Sequence, residues 1–423
     1  MAWNVVIAGG GFGGAAAARE LERTMPKQSA RLVLVNETNF ALYTPFLPEA
    51  AAGTLEPRHV VTPLRDILKR TYLRLGSIVG HDPEAKTVEL RPKYGETETL
   101  PYDQLLLALG SVSRTLPIPG LADHAVGFKS LADAIYLRNH LVESLEEANA
   151  TEDVARREEL LTFVFVGGGY AGLEALAELQ DFAADAMDSY PRARLHGMRW
   201  VLVEAADRVL PEIDAELAEY ALRELRGRGI DIRLGTTLEE VTASSARLST
   251  GEVLPTRTVV WTAGVAPQPV LRELELPLDE RGRVPVDEYL RVKGLSSVWA
   301  IGDCAAAPDP RGGLCPPTAQ HAVRQGPVVA RNIAAELGIG SPRPFEYRSQ
   351  ASFANLGRYK AVGRIGDRTF CGFPAWWLAR SYHMSQIPGT ARKVRAVLDW
   401  TAGLPFKRDI AEVGSIGRPD RLD

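Results

Sequence analysis

The sequence predicts an α/β fold in which one strand–turn–helix device occurs twice, the second copy inserted into the chain of the first. Two observations carry this. The run "VVIAGGGFGG" enters Gly9-x-Gly11-x-x-Gly14 from an apolar strand and continues into an Ala-rich helix. "LTFVFVGGGYAGLEALAEL" (161–179) restates it around Gly167-x-Gly169-x-x-Gly172. In such a device the first glycine makes the tight turn, the second lets a pyrophosphate approach the backbone, and the third lets helix pack on strand. The helix start then offers free N–H groups and a positive dipole end to the phosphates. One such pattern is weak evidence; two, each behind a strand and ahead of a helix, predict two Rossmann-like dinucleotide-binding domains.

The strand after the first glycines, Leu32-Val33-Leu34-Val35, ends on Asn36 with Glu37 next. An acid normally stands there to take a ribose hydroxyl, so Asn36 and Glu37 are both candidates for that contact. Further on, "YDQLLLALGS" (102–111) is a strand closing on a tight turn at Gly110. The acidic stretch "ESLEEANATEDVARREE" (143–159) reads as a solvated helix and crossing loop. After the second glycines, "MRWVLVEAADRVLP" ends its strand on Glu204. A carboxylate there favours the free 2′-hydroxyl of NADH over the 2′-phosphate of NADPH, although Arg208 lies close in sequence. "SSVWAIGDCAAAP" (296–308) is a strand ending on Gly302-Asp303, and an Asp at that turn can accept from ribityl hydroxyls of a flavin. Domains follow from this order: 1–125 with 275–345 for FAD, 126–274 for NADH, and a C-terminal region at 346–423.

Composition agrees with a globular chain, at 45% hydrophobic and 24% charged residues. A net charge of -4 gives no nucleic-acid footprint. Cys304, Cys315 and Cys371 form neither a close pair nor a metal-ligand spacing, so no metal site is expected and each thiol reads as a small buried hydrophobe. "MAWNVVIAGGG" runs straight into the first strand, which leaves no room for a secretory leader. No stretch approaches the ~18 apolar residues of a spanning helix.

"CPPTAQHAVRQG" (315–326) fits a helix entered through prolines, with Thr318 as its N-cap. Ala319 is small enough to lie against a flat ring, and Gln320 offers an amide to a carbonyl; His321 reads as a solvent-facing residue. In the tail, Val394, Val397, Leu398 and Thr401 recur at helical spacing, with Arg392, Lys393 and Arg395 largely elsewhere on the helix. That pattern suits a helix lying in a membrane interface, with Trp376, Trp377 and Trp400 at the boundary; it would equally pack a helix onto the protein body.

Taken together, these stretches resemble the type II NADH:quinone oxidoreductases, the non-proton-pumping NADH dehydrogenases among the two-dinucleotide-binding-domain flavoproteins. The match is carried by "NFALYTPFLPEAAAGTLEPRHVVTPLR", "LVEAADRVLPEID", "VVWTAGVAPQPVL", "VWAIGDCAA", "PPTAQHAVRQG" and the aromatic tail, and runs from residue 4 to about 409. The resemblance implies non-covalent FAD, NADH as donor and a membrane quinone, menaquinone or ubiquinone, as acceptor. It also implies a homodimer attached peripherally to the cytoplasmic face of the cell membrane, held by the lipid surface. Thr44 and Gly264, within the matching stretches, join the FAD and NADH sets. Glu174, two residues past Gly172, is implied to shape the site or feed protons. Where the family usually has a second Gln four residues after Gln320, this chain has Arg324, which changes the surroundings of the quinone carbonyl.

The nearest rival is a sulfide:quinone reductase, which needs a redox cysteine pair absent from "GGGYAGLEALAEL" and "ASFANLGRYKAV". A ferredoxin or rubredoxin reductase would leave the aromatic tail unexplained. A non-enzymatic, NADH-sensing flavoprotein is opposed by the "PPTAQHA" helix start.

Overall fold

The computed structural model describes residues 2–348, 351–403 and 405–412. The chain folds into two units, each made of three chain segments: 1–42, 61–112 and 265–349 in the first, 43–60, 113–264 and 350–423 in the second.

The first unit is built on a seven-stranded sheet. From one edge its strands are Val298–Ala300, Gln104–Leu107, Trp3–Ala8, Ala30–Asn36 and Tyr72–Asp82, all parallel. Thr87–Pro92 and Glu98–Pro101 then add antiparallel to the other edge. The parallel strands read as continuous apolar runs because both faces are covered: Val5, Ile7, Leu34, Leu105 and Leu106 are wholly buried. Helices Phe12–Thr24 and Ala319–Glu336 pack against each other through glycine. A methyl on Gly326 would lie 2.7 Å from the Gly13 carbonyl and 2.8 Å from Ala16 Cβ, so any larger residue would push the helices apart.

The second unit carries a five-stranded parallel sheet, ordered Ala125–Gly127, Thr258–Trp261, Thr162–Val166, Arg199–Val203 and Asp231–Arg233. The acidic stretch forms the end of helix Leu131–Ala150 and the helix Val154–Leu161, joined at 151–153, where Asp153 caps the second helix through the N–H groups of Ala155 and Arg156. An antiparallel sheet of Ala351–Asn355, Ala361–Ile365 and Arg368–Cys371 leads to helices Gly372–Gln386 and Thr390–Ala402. The break between them falls at Gly389, whose φ of 90° suits glycine. Tyr43–Val60 joins this unit although the chain before it belongs to the first. Its Glu49 is 1% exposed and accepts a 2.7 Å hydrogen bond from Trp400 Nε1, which draws the segment toward the tail.

Candidate functional site

In the first unit the predicted residues gather at the C-terminal edge of the parallel sheet, where ligands of open α/β sheets bind. Gly9 N–H donates to Val35 O at 2.8 Å, Ala108 N–H to Ala8 O at 2.8 Å, and Ile301 N–H to Leu107 O at 3.0 Å. The turns at Gly9, Gly110 and Gly302 are therefore the continuations of neighbouring strands. Two of the three glycines in the loop are demanded by packing: a Cβ on Gly9 would overlap the Ala108 carbonyl, and one on Gly14 the Gly9 carbonyl. A Cβ on Gly11, the helix N-cap, would meet nothing within 4 Å. The second unit repeats this. A Cβ on Gly167 would meet Thr262 Oγ1 at 2.7 Å, one on Gly172 would overlap the Gly167 carbonyl, and one on Gly169 has nothing within 4 Å. The space left open over both middle glycines is what a pyrophosphate needs, so the two loops fit the two dinucleotides.

The strand-end side chains also correspond. Asn36 Oδ1 accepts from Gly10 N–H at 2.8 Å, and Glu204 Oε2 accepts from Gly168 N–H at 2.5 Å. Each braces its glycine loop. Asn36 Nδ2 donates to Thr38 O at 2.8 Å, so both ends of its amide face protein atoms. Glu37 is exposed, with Ser77 Oγ donating to its Oε1 at 2.8 Å. Arg208 Nη2 donates to Pro211 O and Ile213 O, both at 2.7 Å, and so braces the loop beyond Glu204. Gly264 ends the second unit's segment 113–264, with its carbonyl accepting from Arg114 N–H at 3.2 Å. Thr44 opens the short turn Thr44–Phe46, in a segment assigned to the second unit.

Asp303 Oδ2 accepts from Ser111 Oγ at 2.5 Å, and Gly302 N–H donates to Gln325 Oε1 at 2.7 Å. Gln325, 1% exposed, thus pins the Gly302 turn, a role the sequence reading missed. Thr318 caps the helix that begins at Ala319, its Oγ1 accepting from His321 N–H at 3.4 Å. His321 is 6% exposed and not solvent-facing: its Nδ1 lies 2.7 Å from Thr318 Oγ1 and its ring packs edge-on to Tyr347. Tyr347 links the rest of the cluster. Its hydroxyl donates to Gln320 Oε1 at 3.0 Å, and the Arg324 guanidinium lies 5.6 Å from its ring centroid. Cys304 and Cys315 are buried and free, and burial pushes both thiols up to about 11, away from thiolate chemistry.

Glu174 sits in the first turns of helix Tyr170–Ala186, half-buried, and accepts from Asn355 N–H at 2.8 Å. Desolvation, with the nearby Glu49 and Glu178 charges, pushes its carboxyl up to about 8. The same helix carries Glu178, Asp181 and Asp185 on this face. The i, i+4, i+7, i+11 spacing of these acids, on a helix that must bury its Ala/Leu face, is the signal that sequence reading passed over.

The tail brings a second set of residues to this network. Arg380 lies 4.1 Å from the Trp376 ring centroid and 4.6 Å from that of Trp400, and its Nη2 meets Glu49 Oε1 at 3.3 Å. Trp376 and Trp400 therefore hold an arginine between their rings, while Trp377 is 58% exposed. A cavity of about 640 Å³ opens beside them, lined among others by Phe373, Trp377, Val397 and Phe406.

Residues 3–326 match the family described as pyridine nucleotide-disulphide oxidoreductase. The chain is 31% identical over 413 residues to the type II NADH:quinone oxidoreductase Ndh of Mycobacterium tuberculosis, covering 94% of this chain and 87% of that one. It is 28% identical over 478 residues to the external alternative NADH-ubiquinone oxidoreductase of Yarrowia lipolytica mitochondria, covering 96% and 80%. The structure of NDH2 from Plasmodium falciparum in complex with NADH superposes with a TM-score of 0.88 at 17% identity, over 97% of this chain and all of that one, and so shares the fold. The chain belongs to the pyridine nucleotide-disulphide oxidoreductase family, and within it to the type II NADH:quinone oxidoreductases.

Proposed function

We propose that this protein oxidises NADH and reduces a membrane quinone, with FAD held non-covalently in the first unit and NADH binding at the second. The observation that carries this is the pair of glycine loops, each braced by a strand-end side chain and each open over its middle glycine. FAD, when bound, supplies the chemistry of accepting a hydride and releasing two electrons. Gly11 and its helix start hold its pyrophosphate, and Asp303 holds the ribityl chain. Glu37 takes the ribose hydroxyl, because both polar ends of Asn36 already serve the loop. Glu204 selects NADH, and Arg208 is turned to backbone carbonyls, which supports exclusion of a 2′-phosphate. Gln320 and Ala319 face the quinone head, with the Arg324 cation steadied over Tyr347. Glu174 keeps a proton near neutral pH and passes it toward the quinone.

Attachment to a membrane is part of this proposal. Among the described residues no helix is long and apolar enough to cross a bilayer. The tail instead leaves Phe373, Trp377, Val394, Val397, Leu398 and Phe406 between 47% and 71% exposed, with Arg392, Lys393 and Arg395 on the same helix as the valines. Covering such side chains at ~1.5–3 kcal/mol each gives reversible, peripheral binding.

Rapid anaerobic mixing tests the proposal. NADH should bleach the flavin absorbance within milliseconds, and menaquinone or ubiquinone should restore it. A flavin that NADH bleaches slowly, or that neither quinone restores, overturns it. Phe373→Ser with Trp377→Ser should release the protein from liposomes and leave the NADH step unchanged. Undiminished sedimentation with lipid rejects the attachment surface.

A further inference from the structure

Converting a quinone to a quinol takes two electrons and two protons, whereas NADH gives a hydride, which is two electrons and one proton. Each turnover (NADH + H⁺ + quinone → NAD⁺ + quinol) must therefore draw one proton from water. If Glu174 hands that proton on, something must reload it.

Behind Glu174 the second unit buries an ionic network. Glu178 is 0% and Glu49 1% exposed. Asn355 connects Glu174 to Glu49: its N–H donates to Glu174 at 2.8 Å and its Nδ2 to Glu49 Oε1 at 3.4 Å. Arg380 pairs with Glu49 at 3.3 Å and Arg408 with Glu178 at 3.4 Å. Deeper along the helix, Asp181 meets Arg228 at 2.6 Å and accepts from Arg358 N–H at 2.5 Å. Asp185 lies between Arg358 at 3.8 Å and Arg408 at 3.7 Å. Five carboxylates, Glu49, Glu174, Glu178, Asp181 and Asp185, thus face four guanidinium groups, Arg228, Arg358, Arg380 and Arg408.

With Glu174 protonated, the other four acids balance the four guanidinium groups; once Glu174 gives up its proton one negative charge is left over, and an uncompensated charge in such a place is expelled by taking up a proton. Glu178 is the acid placed to receive that replacement proton. Its Oε2 faces Arg408, but its Oε1 has no hydrogen-bond partner among the described residues, nor does the buried Oδ1 of Asn355. Burial pushes the Glu178 carboxyl upward, and the Glu49 and Asp181 charges add to this, while Arg408 and Arg380 oppose it. Glu174 is itself raised by the charges of Glu49 and Glu178, and it in turn acts on Tyr170.

We propose that Glu178, acting with Glu49, takes up the replacement proton and reloads Glu174 after each quinone reduction. The proposal rests on the NADH:quinone reading and adds a residue outside the nucleotide and quinone contacts. Glu178 is a positioning residue for the proton, not a group that touches substrate.

Glu178→Gln in the full, FAD-loaded chain keeps the shape and the contact with Arg408 but holds no exchangeable acid. The expected result is bleaching by NADH within about twofold of the unaltered protein. Recovery with quinone should slow about tenfold at pH 8, remain near normal at pH 6, and show a larger solvent deuterium effect. Glu49→Gln should shift the profile in the same direction, which keeps the test informative if one variant folds poorly. In the FAD-free chain, infrared titration should show a protonated carboxyl band in the neutral range that Glu178→Gln removes. A pH profile that overlays the unaltered protein, or an equal loss in both half-reactions, overturns the proposal. If quinone fails to restore absorbance even in the unaltered protein, the quinone reading falls instead.

Discussion

Gly169→Ala separates the nucleotide role of the second loop from its structural role. Gly169 has a φ of -76° and ψ of -177°, which alanine adopts freely, and its Cβ would meet no protein atom within 4 Å. Two fold terms oppose each other. Restricting the unfolded chain stabilises by ~0.4–1 kcal/mol, and replacing glycine by alanine at an N-cap costs ~0.5–1 kcal/mol. Their near cancellation predicts a melting midpoint within ~2 °C of the parent. A bound pyrophosphate, by contrast, would have to share space with the new methyl. Overpacking of that kind costs ~1–3 kcal/mol, which is ~5–150-fold in Kd. Titration calorimetry with ADP-ribose reads this directly, because that ligand carries the pyrophosphate without redox chemistry. Gly172→Ala is the contrast: its methyl would overlap the Gly167 carbonyl, so the chain should not fold. An ADP-ribose Kd within twofold of the parent for Gly169→Ala would refute the reasoning, as would a collapsed melting midpoint.

Three further outcomes are expected. Glu204→Gln keeps an acceptor for the Gly168 N–H and loses the charge, so the NADPH-to-NADH ratio of kcat/KM should rise ~10-fold with little effect on the quinone KM. Glu37→Ala should weaken FAD retention on a desalting column with the apo melting midpoint unchanged, while Asn36→Ala should lower that midpoint by releasing Gly10. Folded Glu174 titrates at about 8 against 4.5 for an unperturbed carboxyl, so between those values the folded chain holds a proton that the unfolded chain has released. Its contribution to stability is full below about 4.5 and lost as pH rises to about 8, at up to ~1.4 kcal/mol per pH unit. Urea midpoints at pH 6 and pH 8 should converge in Glu174→Gln.

Much of the α/β architecture is local chemistry. Strands such as Val5–Ala8 and Phe163–Val166 are apolar without interruption because they are covered on both faces, and the two glycine triplets state their turns residue by residue. Glu204 and Asn36 were legible as strand ends for the same reason. Other features depend on partners far along the chain. Nothing near Gln325 announces that it pins Gly302, 23 residues away, and the pattern that put His321 on the solvent side of its helix did not anticipate Tyr347. Likewise, nothing near Trp376 or Trp400 in the sequence announces that Arg380 lies between their rings.

The sequence by itself therefore determined the repeated device, its glycines, its strand-end acceptors and the family, because each depends on residues within one turn or one strand pair. The tertiary structure alone decided which tryptophan of the tail stays exposed, that Glu37 and not Asn36 faces solvent, and that five acids share four arginines in one buried network. Burial and charge balance are sums over segments hundreds of residues apart, and no local pattern carries such a sum.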